Sequence, residues 1–122
     1  MNKIYKTDDI IRVLIGDTLP TIKLEVLGIN DKDEIVKTNV ENVVLNWCKE
    51  GSTRFETEVM VLKSGVYEYT ITNAITDEWS EGKYLYWFDI TDNNGNNYRR
   101  EGGVIKVEDP KKVSSYKVED GE

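Results

Sequence analysis

The chain holds one cysteine, Cys48, and no histidine, which removes most of the side-chain chemistry a small enzyme could use. Nucleophilic catalysis needs a nucleophile beside a positioned base, and without histidine neither a Ser-His-Asp nor a Cys-His arrangement can be built. Cys48 follows Trp47 on a stretch that reads as a strand, so the two face opposite ways; Cys48 then reads as a small half-buried residue, not a reactive thiol. Carboxylate pairs are available at Glu56 and Glu58 and at Glu78 and Glu81. None sits among apolar neighbours that would raise its pKa for acid–base work, so a solvated surface accounts for them. Oxygen ligands for calcium occur in "NDKDE" (Asn30, Asp31, Asp33, Glu34) and "DNNGNN" (Asp92, Asn93, Asn94, Asn96, Asn97). Neither has the spacing of an EF-hand loop, with its central glycine and closing glutamate; five residues before Gly95 stands Ile90, which cannot ligate. Asn and Asp are read here as turn formers, with "NDKDE" the better calcium candidate of the two. Zinc lacks its usual ligands. The expectation is no catalytic residue, no metal and no cofactor.

The totals point the same way. The 122 residues carry 23 Asp plus Glu against 16 Lys plus Arg, a net charge of −7. Nucleic-acid binding gains from a positive patch that releases counterions, and no Lys/Arg run exceeds two residues, at Arg99-Arg100 and Lys111-Lys112. No nucleic acid is expected as partner. One cysteine makes no internal disulfide. "MNKIYKTDDIIRV" has no apolar run of signal-peptide length, and no apolar stretch approaches a membrane span. No membrane partner is expected, and the chain is placed in a cytoplasm or in a particle assembled there. Mean hydropathy is low, at −0.54, but seven Tyr, three Trp and two Phe supply enough large buried side chains for a core.

What positions these residues is a series of strands. "DDIIRVLIGDT" reads as the first. "TIKLEVLG" alternates Ile22, Leu24 and Val26 against Thr21, Lys23 and Glu25, between Pro20 and Gly28. "NVVLNWCKEG" puts Val43, Leu45 and Trp47 on one side. "RFETEVMVLKSG" and "VYEYTITN" flank a hairpin loop of about three residues at "KSG", and Tyr67, Tyr69 and Ile71 share a face. "SEGKYLYWFDITD" and "YRREGGVIKVEDP" close the series around "TDNNGNN". No helix is expected. About seven strands at this spacing predict an all-β, antiparallel sandwich over residues 1–110, followed by a polar tail over 111–122; a small closed barrel shares the pattern.

Three features resemble the immunoglobulin-like sandwich. Trp47 stands in the third strand, where such folds bury a Trp. "SEGKY" resembles a tyrosine corner, with Gly82 two residues before Tyr84. Two residues further, where antibody domains carry a cysteine, stands Tyr86, and the facing position holds Leu24. The resemblance implies an aromatic–aliphatic contact in place of a cystine. The order of "IGDTLPTIKLEVLG", "NVVLNWCKEG", "SEGKYLYWFDITDNNGN" and "VIKVED" is similar to the N-terminal immunoglobulin-like domain of phage baseplate upper proteins and related tail or neck proteins. Such kinship implies a virion structural protein.

One stretch raises a functional question. In "SEGKYLYWFDITD" the alternation turns Tyr84, Tyr86, Phe88 and Ile90 one way and Leu85, Trp87, Asp89 and Thr91 the other. With the tyrosine-rich set filling the core, Leu85 and Trp87 form an apolar patch on the outer face. It is covered by a partner or by the tail, through Val113, Tyr116 or Val118. Trp79, in "TDEWSEG", is either a plug under the sandwich edge or a contact at its tip. The leading expectation is a non-enzymatic bacteriophage virion component at tail, baseplate or neck, packing against other virion proteins and copies of itself as a homo-oligomer. A carbohydrate-binding module, stacking sugars on Trp79 and Trp87, is the competing class, and a small cytoplasmic regulator the third.

Overall fold

The computed structural model describes residues 10–111. They are mostly strand: β1 (Ile10–Leu14), β2 (Ile22–Leu24), β3 (Leu27–Ile29), β4 (Ile35–Lys37), β5 (Asn42–Lys49), β6 (Glu56–Val59), β7 (Val61–Lys63), β8 (Val66–Tyr69), a helical turn α1 (Asn73–Thr76), β9 (Gly82–Thr91) and β10 (Asn97–Glu108). Five strands form one sheet in the order β1-β10-β9-β5-β6. Three form a second, β2-β8-β7, and β3 and β4 make a separate hairpin. The all-β expectation holds. Of the proposed tail, residues 112–122, with Val113, Tyr116 and Val118, lie outside the described residues.

The core is the pair of sheet faces that meet. Val43, Leu45 and Trp47 from β5, Tyr84, Tyr86, Phe88 and Ile90 from β9, and Ile105 and Val107 from β10 pack with Ile22, Tyr67 and Ile71. These are the residues that period-two alternation assigns to the inside. Leu45, Ile71 and Ile105 are fully sealed from solvent.

Four details depart from the sequence reading. The sheet is not purely antiparallel, because β1 runs parallel to β10, with Ile10 beside Val104 and Leu14 beside Glu108. Among the described residues the strands number ten, not about seven, because two expected strands are broken and β4 forms where no strand is expected. "TIKLEVLG" splits after Leu24, and its second half turns out into the β3–β4 hairpin, where Leu27, Gly28 and Ile29 face Lys37, Val36 and Ile35. "RFETEVMVLKSG" splits at Met60: β6 pairs with β5 while β7 pairs with β8, so the chain changes sheets across one buried residue. The loop at "KSG" has two residues, since Lys63 pairs directly with Val66. Ser64 and Gly65 both take positive φ, 50° and 83°, the pattern of a type I′ turn that matches strand twist. Lastly, α1 replaces an expected loop. It is anchored by the buried Thr76, whose Oγ1 donates to the Asp17 carbonyl at 2.6 Å.

A bulge sits between Glu101 and Gly103 in β10. A Cβ at Gly102 would collide with the ring and carbonyl oxygen of Tyr86, so only glycine lets β10 lie this close to the core aromatic.

Candidate functional site: the outer face of the five-stranded sheet

Directly paired residues in a sheet share a face, so the registers assemble the outer surface. Trp87 lies beside Glu101 on β10 and Asn46 on β5; Asp89 lies between Arg99 and Val44, and Val59 of β6 follows Val44. The strand β9 alternates buried and half-buried residues along its length, with Leu85 and Trp87 in the half-buried set.

Trp87 is dressed by its own chain on two sides. The Phe55 ring lies 5.4 Å from it, tilted by 55°, and the Arg99 guanidinium lies 5.8 Å from its centroid. Arg99 is held there by Asp89, its Nε donating to Oδ1 at 2.8 Å and its Nη2 to Oδ2 at 3.1 Å. The buried Asn46 adds a third donor to Asp89 Oδ2 at 3.0 Å. These hydrogen bonds, led by those from Arg99, hold the Asp89 carboxyl below the ordinary carboxylate range against the opposing effect of desolvation. Trp87 Nε1 is covered and meets no acceptor among the described residues. The apolar surface left open lies beside Trp87: Phe55 is 52% exposed and Val59 60%.

Trp79 is the plug of the two alternatives. Its ring stacks on Tyr84 at 4.2 Å and 15° and packs against the core cluster. Tyr84 Oη accepts from the Ser80 N–H at 3.0 Å, a backbone contact four residues upstream of the kind a tyrosine corner makes. Trp47, Tyr84 and Tyr86 are buried; Leu24 is half-buried at the sheet edge. Trp47 stacks on Tyr69 of the other sheet, at 6.2 Å and 28°. Burial, and then the nearby Glu58 charge, raise the Tyr69 phenol. Cys48 is half-exposed and unpaired.

The oxygen-rich loops are occupied by their own turns. Asn30 Oδ1 accepts from the amides of Lys32 and Glu34, at 2.9 and 3.0 Å. Asp92 Oδ1 accepts from those of Asn94 and Asn96, both at 2.9 Å, which holds its carboxyl low. Among the described residues no three His, Cys, Asp or Glu side chains come together as a metal site, and no helix is long and apolar enough to cross a membrane. A groove of about 1880 Å³ opens where β10 runs past the end of β1, lined by Leu27, Ile29 and Ile35 of the hairpin together with Ile10, Leu85 and Val104 of the five-stranded sheet. Its walls are mainly apolar.

No known family model matches this sequence, and no curated protein matches it either. The surface must speak for itself.

Sequence reasoning found Leu85 and Trp87 but missed the residues that leave the patch open. Phe55 and Val59 were read only as part of a strand bearing Glu56 and Glu58. The signal was present: Phe55, Thr57 and Val59 alternate with the two glutamates, which gives them a common face. It was also missed that the β3–β4 hairpin exposes Leu27 (57%), Ile29 (73%) and Ile35 (63%).

Proposed function

We propose that this protein is a non-enzymatic structural component of a bacteriophage virion, an immunoglobulin-like module that acts by packing its outer sheet face against other virion proteins. The observation that carries the reading is the apolar surface around Trp87, where Phe55 and Val59 stand more than half exposed on a sheet rigidified by the Asn46–Asp89–Arg99 hydrogen bonds. Exposed aromatic surface on a rigid, pre-ordered support is what protein interfaces use, because little entropy is lost on contact. Two further features support the immunoglobulin-like reading. The order β10-β9-β5-β6 facing β2-β8-β7 follows that of variable-type sandwiches, and Tyr84 makes its corner contact. The similarity of the motif order to phage baseplate, tail or neck domains supplies the setting.

The carbohydrate-binding alternative draws less support. One face of Trp79 is taken by Tyr84, and Trp87 is hemmed by Phe55 and Arg99, so neither offers the open platform that sugar stacking needs. The test compares wild type with Phe55→Ser/Val59→Ser by light scattering and by co-sedimentation with particles of the parent phage. Wild type is expected to join the particle fraction and the variant to stay behind. A wild-type chain that is monomeric and absent from every particle fraction overturns the reading.

A further inference from the structure

The same sheet face carries a second feature, at the other end of β9. Arg12 of β1 pairs with Lys106 of β10, which pairs with Lys83 of β9. Three cations therefore stand side by side across three strands of a chain whose net charge is −7. Like charges directly opposite one another are unfavourable in a sheet. None of the three side chains makes an ion pair or hydrogen bond among the described residues. Two residues along the strands lies an apolar row, Ile10, Val104 and Leu85, of which Ile10 is 51% exposed.

The β3–β4 hairpin has the complementary pattern. Leu27, Ile29 and Ile35 share one face and are exposed. Its tip, Asp31-Lys32-Asp33-Glu34, is fully exposed and carries a surplus of negative charge. The hairpin is a separate two-stranded sheet, and such a ribbon is marginal on its own in water, so four protruding branched aliphatics, Val36 included, call for cover. The spacing agrees. From the Ile29–Ile35 pair to Asp31 and Asp33 is two residues, roughly 7 Å along a strand, and from the apolar row to the cationic row is also two residues. A face-to-face dimer whose two-fold axis passes through this end of the sheet would bring cationic row against cationic row, which disfavours that self-complementary contact.

Resting on the reading of this face as an assembly surface, we propose that the partner at its β1–β10–β9 end is a second copy of the chain: the β3–β4 hairpin of one protomer lies across Ile10, Val104 and Leu85 of the next, its acidic tip against Arg12, Lys106 and Lys83. This contact is heterologous, hairpin to sheet, and so builds a ring where the rotation closes and an open chain where it does not.

A charge swap tests it. Lys83→Glu/Lys106→Glu and Asp31→Lys/Asp33→Lys change exposed or half-exposed side chains, and circular dichroism checks that each variant is folded. Wild type is expected to self-associate in light scattering, each variant alone to associate at least roughly 10-fold more weakly, and an equimolar mixture to recover association through alternating contacts, one with the charges swapped and one with the native charges. The contact is wrong if either variant alone associates like wild type, if the mixture stays monomeric, or if nuclease treatment abolishes wild-type association. A wild-type chain that is monomeric, yet joins particles through Phe55 and Val59, removes the copy-to-copy contact and leaves the virion reading standing.

Discussion

The two faces of β9 are built from similar side chains and end in opposite states. Inward, Tyr84, Tyr86, Phe88 and Ile90 are covered by a second sheet and nearly lost to solvent. Outward, Leu85 and Trp87 are only half covered, Trp87 with one ring and one guanidinium from the same chain against it. The difference lies in the supporting layer and not in hydrophobicity. An inner side chain has a whole sheet to pack on, whereas an outer one has whatever neighbouring strands can lean over it. Inner contacts hold the fold; outer ones leave apolar surface that the fold does not need.

The inner face should therefore break the molecule. Leu45→Ala, at a position with no exposure, is expected to lower stability by about 2–5 kcal/mol in urea titration. Gly102→Ala pushes a methyl group into Tyr86 and should lower stability by about 1–3 kcal/mol. A neutral result would mean that the bulge has room to move. Tyr84→Phe deletes the acceptor for the Ser80 amide while keeping the Trp79 stack, for a loss of about 1 kcal/mol. On the outer face, Phe55→Ser/Val59→Ser should shift the same titration by no more than about 0.5 kcal/mol per site while abolishing co-sedimentation with particles. A loss as large as that of Leu45→Ala would erase the distinction between the faces. The smallest effect is that of Asp89. Its carboxyl is held low in the folded chain by Arg99, so the unfolded chain takes the proton first. The stabilisation is complete above about pH 4 and is lost as pH falls through the folded-state value. Asp89→Asn should flatten the acid limb of the pH–stability curve slightly, because the pair is exposed to solvent.

The inner face was legible in the sequence because strict alternation from Tyr84 onward, with aromatics at the inner places Tyr84, Tyr86 and Phe88, fits one arrangement only. The outer face was legible only locally. Leu85 and Trp87 follow from the same alternation, but Phe55, Val59 and the Arg12–Lys106–Lys83 row meet through strand register, which distant parts of the chain decide together. The β3–β4 hairpin was hidden because "TIKLEVLG" reads as one alternating strand through Val26, although the adjoining Val26 and Leu27 shift the alternation by one residue just where β3 begins. The informative clue lay after it, where the turn centred on Asn30 is flanked on both sides by aliphatic residues. The break at Met60 had no signal, since a strand that changes sheets reads as one continuous strand.

That break has a mechanical meaning. Met60 is buried, and its amide donates to the Val43 carbonyl at 2.9 Å while the residues on either side belong to different layers. The two layers are thus stitched by the polypeptide itself in mid-span, at a point where neither can slide past the other without tearing backbone bonds. A particle that transmits force through this domain would load both layers at once, and heating should melt them together in one calorimetric transition.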